Sequence, residues 1–488
     1  TTGDSNVAVG RDALGENTTA SSNVAIGNNA MNLNTTGASN VAVGANSLDA
    51  NTTASNNTAV GHSALTANTT GTNNVAVGLS ALQDVTTNSA NTAVGTQALK
   101  QNTSGNNTAL GYLSLRLNTS GTQNVAAGAE SLDANTSGSY NAAFGMQTLT
   151  TNTTGEKNTA LGSFALRDNT TASNNTAVGS SALLVNTTGT QNTTVGTISL
   201  DANTTGNFNT SVGYASLSGN TTGSSNTGVG LSALYSNTTA DHNTAVGREA
   251  LVLNTTGTGN VAVGSLSLDA NTTGSANVGV GYLALTDLTT GGNNTAIGNA
   301  AAQNCTDASS IVAVGSAALD ANTSGSNNVA VGVSALQNNT TANDNTAVGK
   351  EALKVNTTGG LNTAVGNETL ESNTTGANNT AVGALALDAN TTASNNTAVG
   401  QAALTANTTG QVNVAVGEGA LKSNTTANNN TAVGREALQS NTTGTQIVAI
   451  GANALNSFVS GTAQLTAVGY EALKSCTTAY NTAVGWQA

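Results

Sequence analysis

Asn6-Val7-Ala8-Val9-Gly10 returns as Asn23-Val24-Ala25-Ile26-Gly27, then as Asn40-Val41-Ala42-Val43-Gly44, and continues to Asn481-Thr482-Ala483-Val484-Gly485. Its closing glycine occurs 29 times, and 25 of the 28 intervals are 17 residues long. The exceptions are 16 (Gly95 to Gly111), 18 (Gly451 to Gly469) and 16 (Gly469 to Gly485), and the last two compensate. A period held this strictly is the signature of a repeat architecture.

One unit runs Gly61-His62-Ser63-Ala64-Leu65-Thr66-Ala67-Asn68-Thr69-Thr70-Gly71-Thr72-Asn73-Asn74-Val75-Ala76-Val77 before Gly78 reopens the cycle. We number slots from the glycine as slot 0. Seventeen residues cannot hold a helical hairpin and its turns, whereas two short strands and two turns fit. The pentapeptide alternates β-branched and small residues and predicts strand one. A second strand is expected through the Ala-Leu pair, and Asn-Thr-Thr-Gly has turn composition. A unit this small cannot bury its own apolar face, so neighbours must stack on it. The expectation is an all-β parallel β-solenoid, one two-strand coil per repeat. It is read as one array over residues 1–488, about 28 coils. At roughly 4.8 Å per coil it would span on the order of 135 Å. Both ends stop within a coil, which suggests a stretch of a longer fibre or end-to-end stacking.

Composition agrees. Among 488 residues, aromatics make up 2 %, charged residues 7 %, and proline is absent. A mixed enzyme core needs more aromatic mass, and ordinary disorder carries more charge and proline. The net charge of −13 is spread thinly and opposes nucleic acid or an anionic membrane as partner. No run of 18 apolar residues predicts a membrane segment, and no cofactor is expected.

Because the repeats act as internal replicates, each slot reports its own environment. Slot 4 is Leu in 26 of 28 coils (Leu65, Leu82 and Leu99 among them), with only Met31 and Ala302 differing. It reads as core. Slot 3 holds only Ala, Ser or Thr, a tight site. Slot 7 is Asn in 23 of 28 coils, including Asn68, and its five departures (Val85, Leu288, Cys305, Phe458, Cys476) are all apolar. A wet turn would have drifted toward charge, so this Asn is expected to point inward and pair buried backbone groups. The Asn of slot 13 (Asn57, Asn74) behaves alike, departing to Ile311, Ile447 and Leu465. Departures at both slots coincide in one coil (Cys305 with Ile311, Phe458 with Leu465), which predicts that the two Asn columns are spatial neighbours.

Charges gather at slots 1, 2, 5 and 6 and in the turn before the pentapeptide, whereas none of the 29 pentapeptides contains one. Alternate strand residues face opposite sides. In Val41-Ala42-Val43 and Val75-Ala76-Val77 one side is Val and Val, the other Ala, and a coil has only one interior. A continuous apolar stripe exceeds what soluble monomers expose. The expected partner is the chain itself, as a homotrimer with strand one at a shared axis.

These pentapeptides, followed by an Ala/Ser-containing segment and a turn, resemble the head repeats of trimeric autotransporter adhesins, the YadA-like head family, and related phage and viral fibre repeats. The likeness covers essentially the whole chain; the unit here is longer, with an added Leu and an Asn-Thr-Thr-Gly turn. The resemblance implies a left-handed parallel β-roll, trimerised along its inner strands. It also implies an extracellular adhesive fibre at a cell or virion surface, with a host receptor or glycan as a further partner. A self-assembling filament subunit is an alternative.

Sharper chemistry finds little footing. His62 and His242 lie about ten coils apart, and neither assembles a catalytic set. Asp recurs at slot 5 (Asp49, Asp133, Asp201, Asp269, Asp320, Asp388), mostly every fourth coil, about 19 Å apart and too far to share an ion. Cys305 and Cys476 are ten coils apart and cannot pair within a chain. The Asn-Thr-Thr triplets are N-glycosylation acceptors only if slot 7 faces outward. Ice binding is the rival function, through recurring Thr69 and Thr70, although adjacent residues offer one outward rank only. Candidate surface contacts are Tyr112, Tyr214, Tyr282, Tyr470 and Trp486.

Overall fold

The computed structural model describes residues 2–488, apart from the side chains at 462 and 463. The chain divides into two compact units, Thr1–His242 and Asn243–Ala488. Each is a parallel β-solenoid, the first carrying strands β1 (Val7–Val9) to β14 (Thr227–Val229), the second β15 (Thr244–Val246) to β29 (Thr482–Val484). Within each unit, consecutive strands pair parallel and in register. In β5 (Val75–Val77) and β6 (Thr92–Val94), Val75 faces Thr92, Ala76 faces Ala93 and Val77 faces Val94. Among the described residues no helix forms.

Each coil has one strand, not two. The Ala-Leu segment is not extended: Ser63 and Leu65 adopt φ of 57° and 55°, and the same two slots repeat this in nearly every coil. The side chains explain why. Ala64 and Leu65 are consecutive and both fully buried, which the alternation of a strand forbids. Placing Leu in left-handed backbone costs roughly 1–2 kcal/mol. Burying its side chain returns about 1.5–3 kcal/mol. The segment still joins the stack: the Leu65 N–H donates to the Ala81 carbonyl at 3.0 Å, that of Ala67 to Gln83 at 3.1 Å, and that of Ser63 back to Ala45 at 2.9 Å. Intercoil hydrogen bonds thus continue round the coil beyond the strand.

The glycine makes the closest approach. Gly61 has φ of 133°, and a Cβ there would lie 2.5 Å from the Gly78 carbonyl oxygen of the next coil. Near the end of the second unit, β27 (Thr445–Ile450) and β28 (Thr462–Val468) are longer, with a bulge between Thr445 and Ile447. This is where the 18-residue coil falls and where Ile447, Phe458 and Leu465 replace the polar core residues.

Candidate interaction surface

Each coil sorts its strand residues between interior and surface. Ala42 and Ala76 are fully buried, while Val41, Val43, Val75 and Val77 are half-buried on the opposite side. The same pattern holds along both units except at the terminal strands β1 and β29, and Ile26, Leu110, Leu161 and Ile297 are exposed at slot 16. Alanine faces inward because slot 3 approaches it across a narrow core. Gly228 and Gly279 stand against Ser216 and Ser267, where a Cβ would lie 2.6 Å from the serine Oγ as placed, whereas Ser47, Ser114 and Ser131 share their coils with Ala59, Ala126 and Ala143. The side of the strand that bears the large residues therefore points outward. Slot 14 is Val or Thr in 28 of 29 copies, and slot 16 is apolar in all 29.

Behind this face lies an amide core. Leu65, Leu82, Leu99, Asn57, Asn68 and Asn74 are all buried. Asn68 Nδ2 donates to Asn51 Oδ1 of the previous coil at 3.1 Å and to the Gly71 carbonyl at 3.0 Å. Asn57 Nδ2 reaches the same Gly71 carbonyl at 2.9 Å, and Asn57 Oδ1 accepts the Asn74 N–H at 2.9 Å. The two Asn columns meet at this carbonyl. Where slot 7 turns apolar the column breaks: Asn68 Oδ1 and Asn271 Oδ1, each followed one coil on by Val85 or Leu288, are buried without a partner. With slot 7 buried and its amide engaged, Asn-Thr-Thr offers a glycan no access in the folded chain.

The turn that follows divides its hydroxyls. Thr69 Oγ1 donates to the Thr86 carbonyl at 3.1 Å, inside the intercoil ladder, while Thr70 is exposed. At slot 11, a slot that reads from sequence as wet surface, a side chain serves the stack: Ser89 Oγ accepts the Thr72 N–H at 2.9 Å, and Asp241 Oδ1 that of Ser224 at 2.6 Å. That role left a signal in the Ser, Asn and Asp bias of the slot, which reads equally as turn composition.

No strand residue is charged; the charges stand at slots 1, 2, 5 and 6 and in the turn before the pentapeptide. Arg116 holds Asp133 of the next coil through Nε–Oδ1 at 2.9 Å and Nη2–Oδ2 at 3.0 Å. Slot 5 is half-buried against a carbonyl of the preceding coil, to which Thr donates when it stands there: Thr66 Oγ1 to Asn46 at 2.8 Å, Thr405 Oγ1 to Leu385 at 3.0 Å. Asp cannot donate when ionised, and Asp49, Asp269 and Asp320 each leave Oδ1 buried and unpaired. Desolvation raises the carboxyl pKa at Asp49, Asp133, Asp320 and Asp388, and pushes that of Asp269 up to about 6.

Burial pushes the Cys305 thiol up to about 11, so it is a protonated core residue, whereas Cys476 is half-buried. Among the described residues no group of three or more His, Cys, Asp or Glu could hold a metal ion, and no helix is long and apolar enough to cross a membrane. Tyr112, Tyr214, Tyr282, Tyr470 and Trp486 are exposed, and all five occupy slot 1. Tyr470 and Trp486, from consecutive coils, stack with centroids 6.2 Å apart.

Fold and surface together define a class: a parallel β-solenoid repeat protein with an amide-laddered core and an outward Thr/Val strand face. No family model matches the chain, and no curated protein aligns with it.

Proposed function

We propose that this chain is a non-enzymatic, extracellular structural and adhesive fibre protein whose copies pack along their strand faces as a parallel homotrimer. The observation that carries the reading is the outward file of slots 14 and 16. It holds no charge in 29 strands, while slot 1, just past the glycine, varies freely among Arg, Glu, Ser, Tyr and Trp. A solvated surface does not exclude charge this thoroughly; a desolvated one must. The first unit alone carries 14 strands, so about 60 Å² per coil reaches the ~800 Å² per partner of a standard interface. Closed cyclic symmetry uses one such face per chain and leaves none over. The other surfaces, with the slot 1 aromatics, remain open to a receptor or glycan.

Sedimentation equilibrium tests it. The expected species has three times the 47.5 kDa mass of the chain. A fully β-structured single chain, stable at micromolar concentration, would overturn the reading.

A further inference from the structure

The outward face departs from its own pattern in one place. Across 29 copies slot 14 is Val or Thr except at Ala142, and slot 16 is Val, Ile or Leu except at Ala127 and Phe144. All three exceptions fall on two adjacent strands, β8 (Val125–Ala127) and β9 (Ala142–Phe144). Ala127 pairs with Phe144, and Phe144 with Leu161 on the far side. The Phe144 side chain stays 41 % exposed, as Ile297 does at the same slot; it lies next to Leu161 on the same face, with Leu110 beyond Ala127.

Taken together the exceptions nearly cancel. A ring is added at Phe144, and side chains are truncated to methyl groups at Ala127 and Ala142. Two coils therefore carry about the volume of two ordinary coils. Conserved volume is a property of packed environments, where both cavities and overpacking are penalised. Water imposes no such condition. The cover that does impose it runs along every coil, so it must share the 17-residue period, and a second copy of this chain has that period by construction.

From this we infer that Phe144, with Ala127 and Ala142, is a register key: it fixes sister chains parallel and coil against equal coil. The inference rests on self-association through the strand face. Elsewhere the face is nearly uniform and a slip of one coil replaces Val by Val. At the key the same slip sets one chain's Phe144 against its sister's Ala127 but the sister's Phe144 against Thr159 and Leu161, neither of which is truncated. In register, each Phe144 meets the space left by Ala142 of its sister.

The test uses the full chain with Cys476→Ser, leaving Cys305 buried. Copies bearing Val77→Cys are mixed with differently tagged copies bearing Val77→Cys or Val94→Cys and joined by a short bismaleimide. Equal-coil pairs are expected to exceed one-coil-shifted pairs about tenfold, the factor a modest overpacking penalty gives. In the triple variant Ala127→Val, Ala142→Thr, Phe144→Val the ratio is expected to fall toward one while sedimentation still reports an assembly. Each of these substitutions restores a residue that other coils carry, so the fold is kept. A triple variant that retains the tenfold preference overturns the key, as does a parent chain with no preference. A chain monomeric in both backgrounds overturns self-association itself.

Discussion

Asn57 and Asn68, from consecutive coils, donate their side-chain amides to one acceptor, the carbonyl oxygen of Gly71, at 2.9 and 3.0 Å. Because that carbonyl has two lone pairs, both bonds are made without competition. Each coil is thereby tied to the next through its interior as well as through its backbone. The buried amides thus act as intercoil cross-ties, and their loss is felt one coil away.

The break at Val85 gives the first prediction. Val85→Asn provides a donor for the unpaired Asn68 Oδ1 and rejoins the column toward Asn102. Recovering a buried unpaired acceptor outweighs the lost methyl burial, for a net gain of about 1 kcal/mol. Chemical denaturation should report it, and Leu288→Asn should behave likewise below Asn271. The reverse change, Asn68→Ala, strands Asn51 Oδ1 and should cost about 1–3 kcal/mol.

At Gly61 a side chain meets two obstacles. Its φ of 133° disfavours any Cβ, and that Cβ would lie 2.5 Å from the Gly78 carbonyl oxygen. Gly61→Ala should destabilise by at least about 1–3 kcal/mol from backbone strain alone, with the contact adding to it. Hydrogen exchange should show the loss centred on the coils of Gly61 and Gly78, since each coil contacts its neighbours.

Slot 5 predicts a pH dependence. The folded pKa of Asp269 lies at about 6, above the ordinary 3.8, because its carboxyl is desolvated and faces Asp287 and Glu249. A raised carboxyl binds its proton more tightly folded than unfolded, so its stabilising effect is full below pH 3.8 and is lost as pH rises through about 6. Asp269→Asn should therefore be the more stable chain at pH 7.5, by about 1 kcal/mol after allowing for solvent screening. The advantage should vanish near pH 4, as thermal melts at the two pH values would show.

Adjacent strand residues should fail in opposite ways. Ala76 is fully buried, and Ala76→Val overpacks the core at a cost of about 1–3 kcal/mol. Val77 faces outward, and Val77→Lys should leave the circular dichroism and the single-chain stability within about 0.5 kcal/mol. On the proposed reading it disperses the assembly, which sedimentation velocity would register.

Much of the core was legible because the repeats tabulate their own tolerances. Leu at slot 4 and the apolar-only departures at slot 7 mark buried positions without any coordinates. The Ala-Leu segment is not legible as non-extended from unit length, because two short strands and two turns also fit 17 residues. The contrary sign was that slots 3 and 4 are both restricted, which no period of two allows. The Ser, Asn and Asp residues of slot 11 read as wet turn in the sequence, since a side chain accepting a backbone N–H from the preceding coil has the composition of a turn.

By itself the sequence determined the coil, its 17-residue period, its stacking and its inward residues, because a repeated unit too small to bury its own face has one way to do so. It could not decide which side of the strand turns outward. In Val75-Ala76-Val77 either Ala or Val could have lined the core on local grounds. The tertiary structure settles that choice through distance: slot 15 faces slot 3 across a narrow interior, where Thr194 and Ser211 each come within 2.7 Å of Ser199 Oγ. Small side chains therefore line the core, and the larger branched ones are left on the surface.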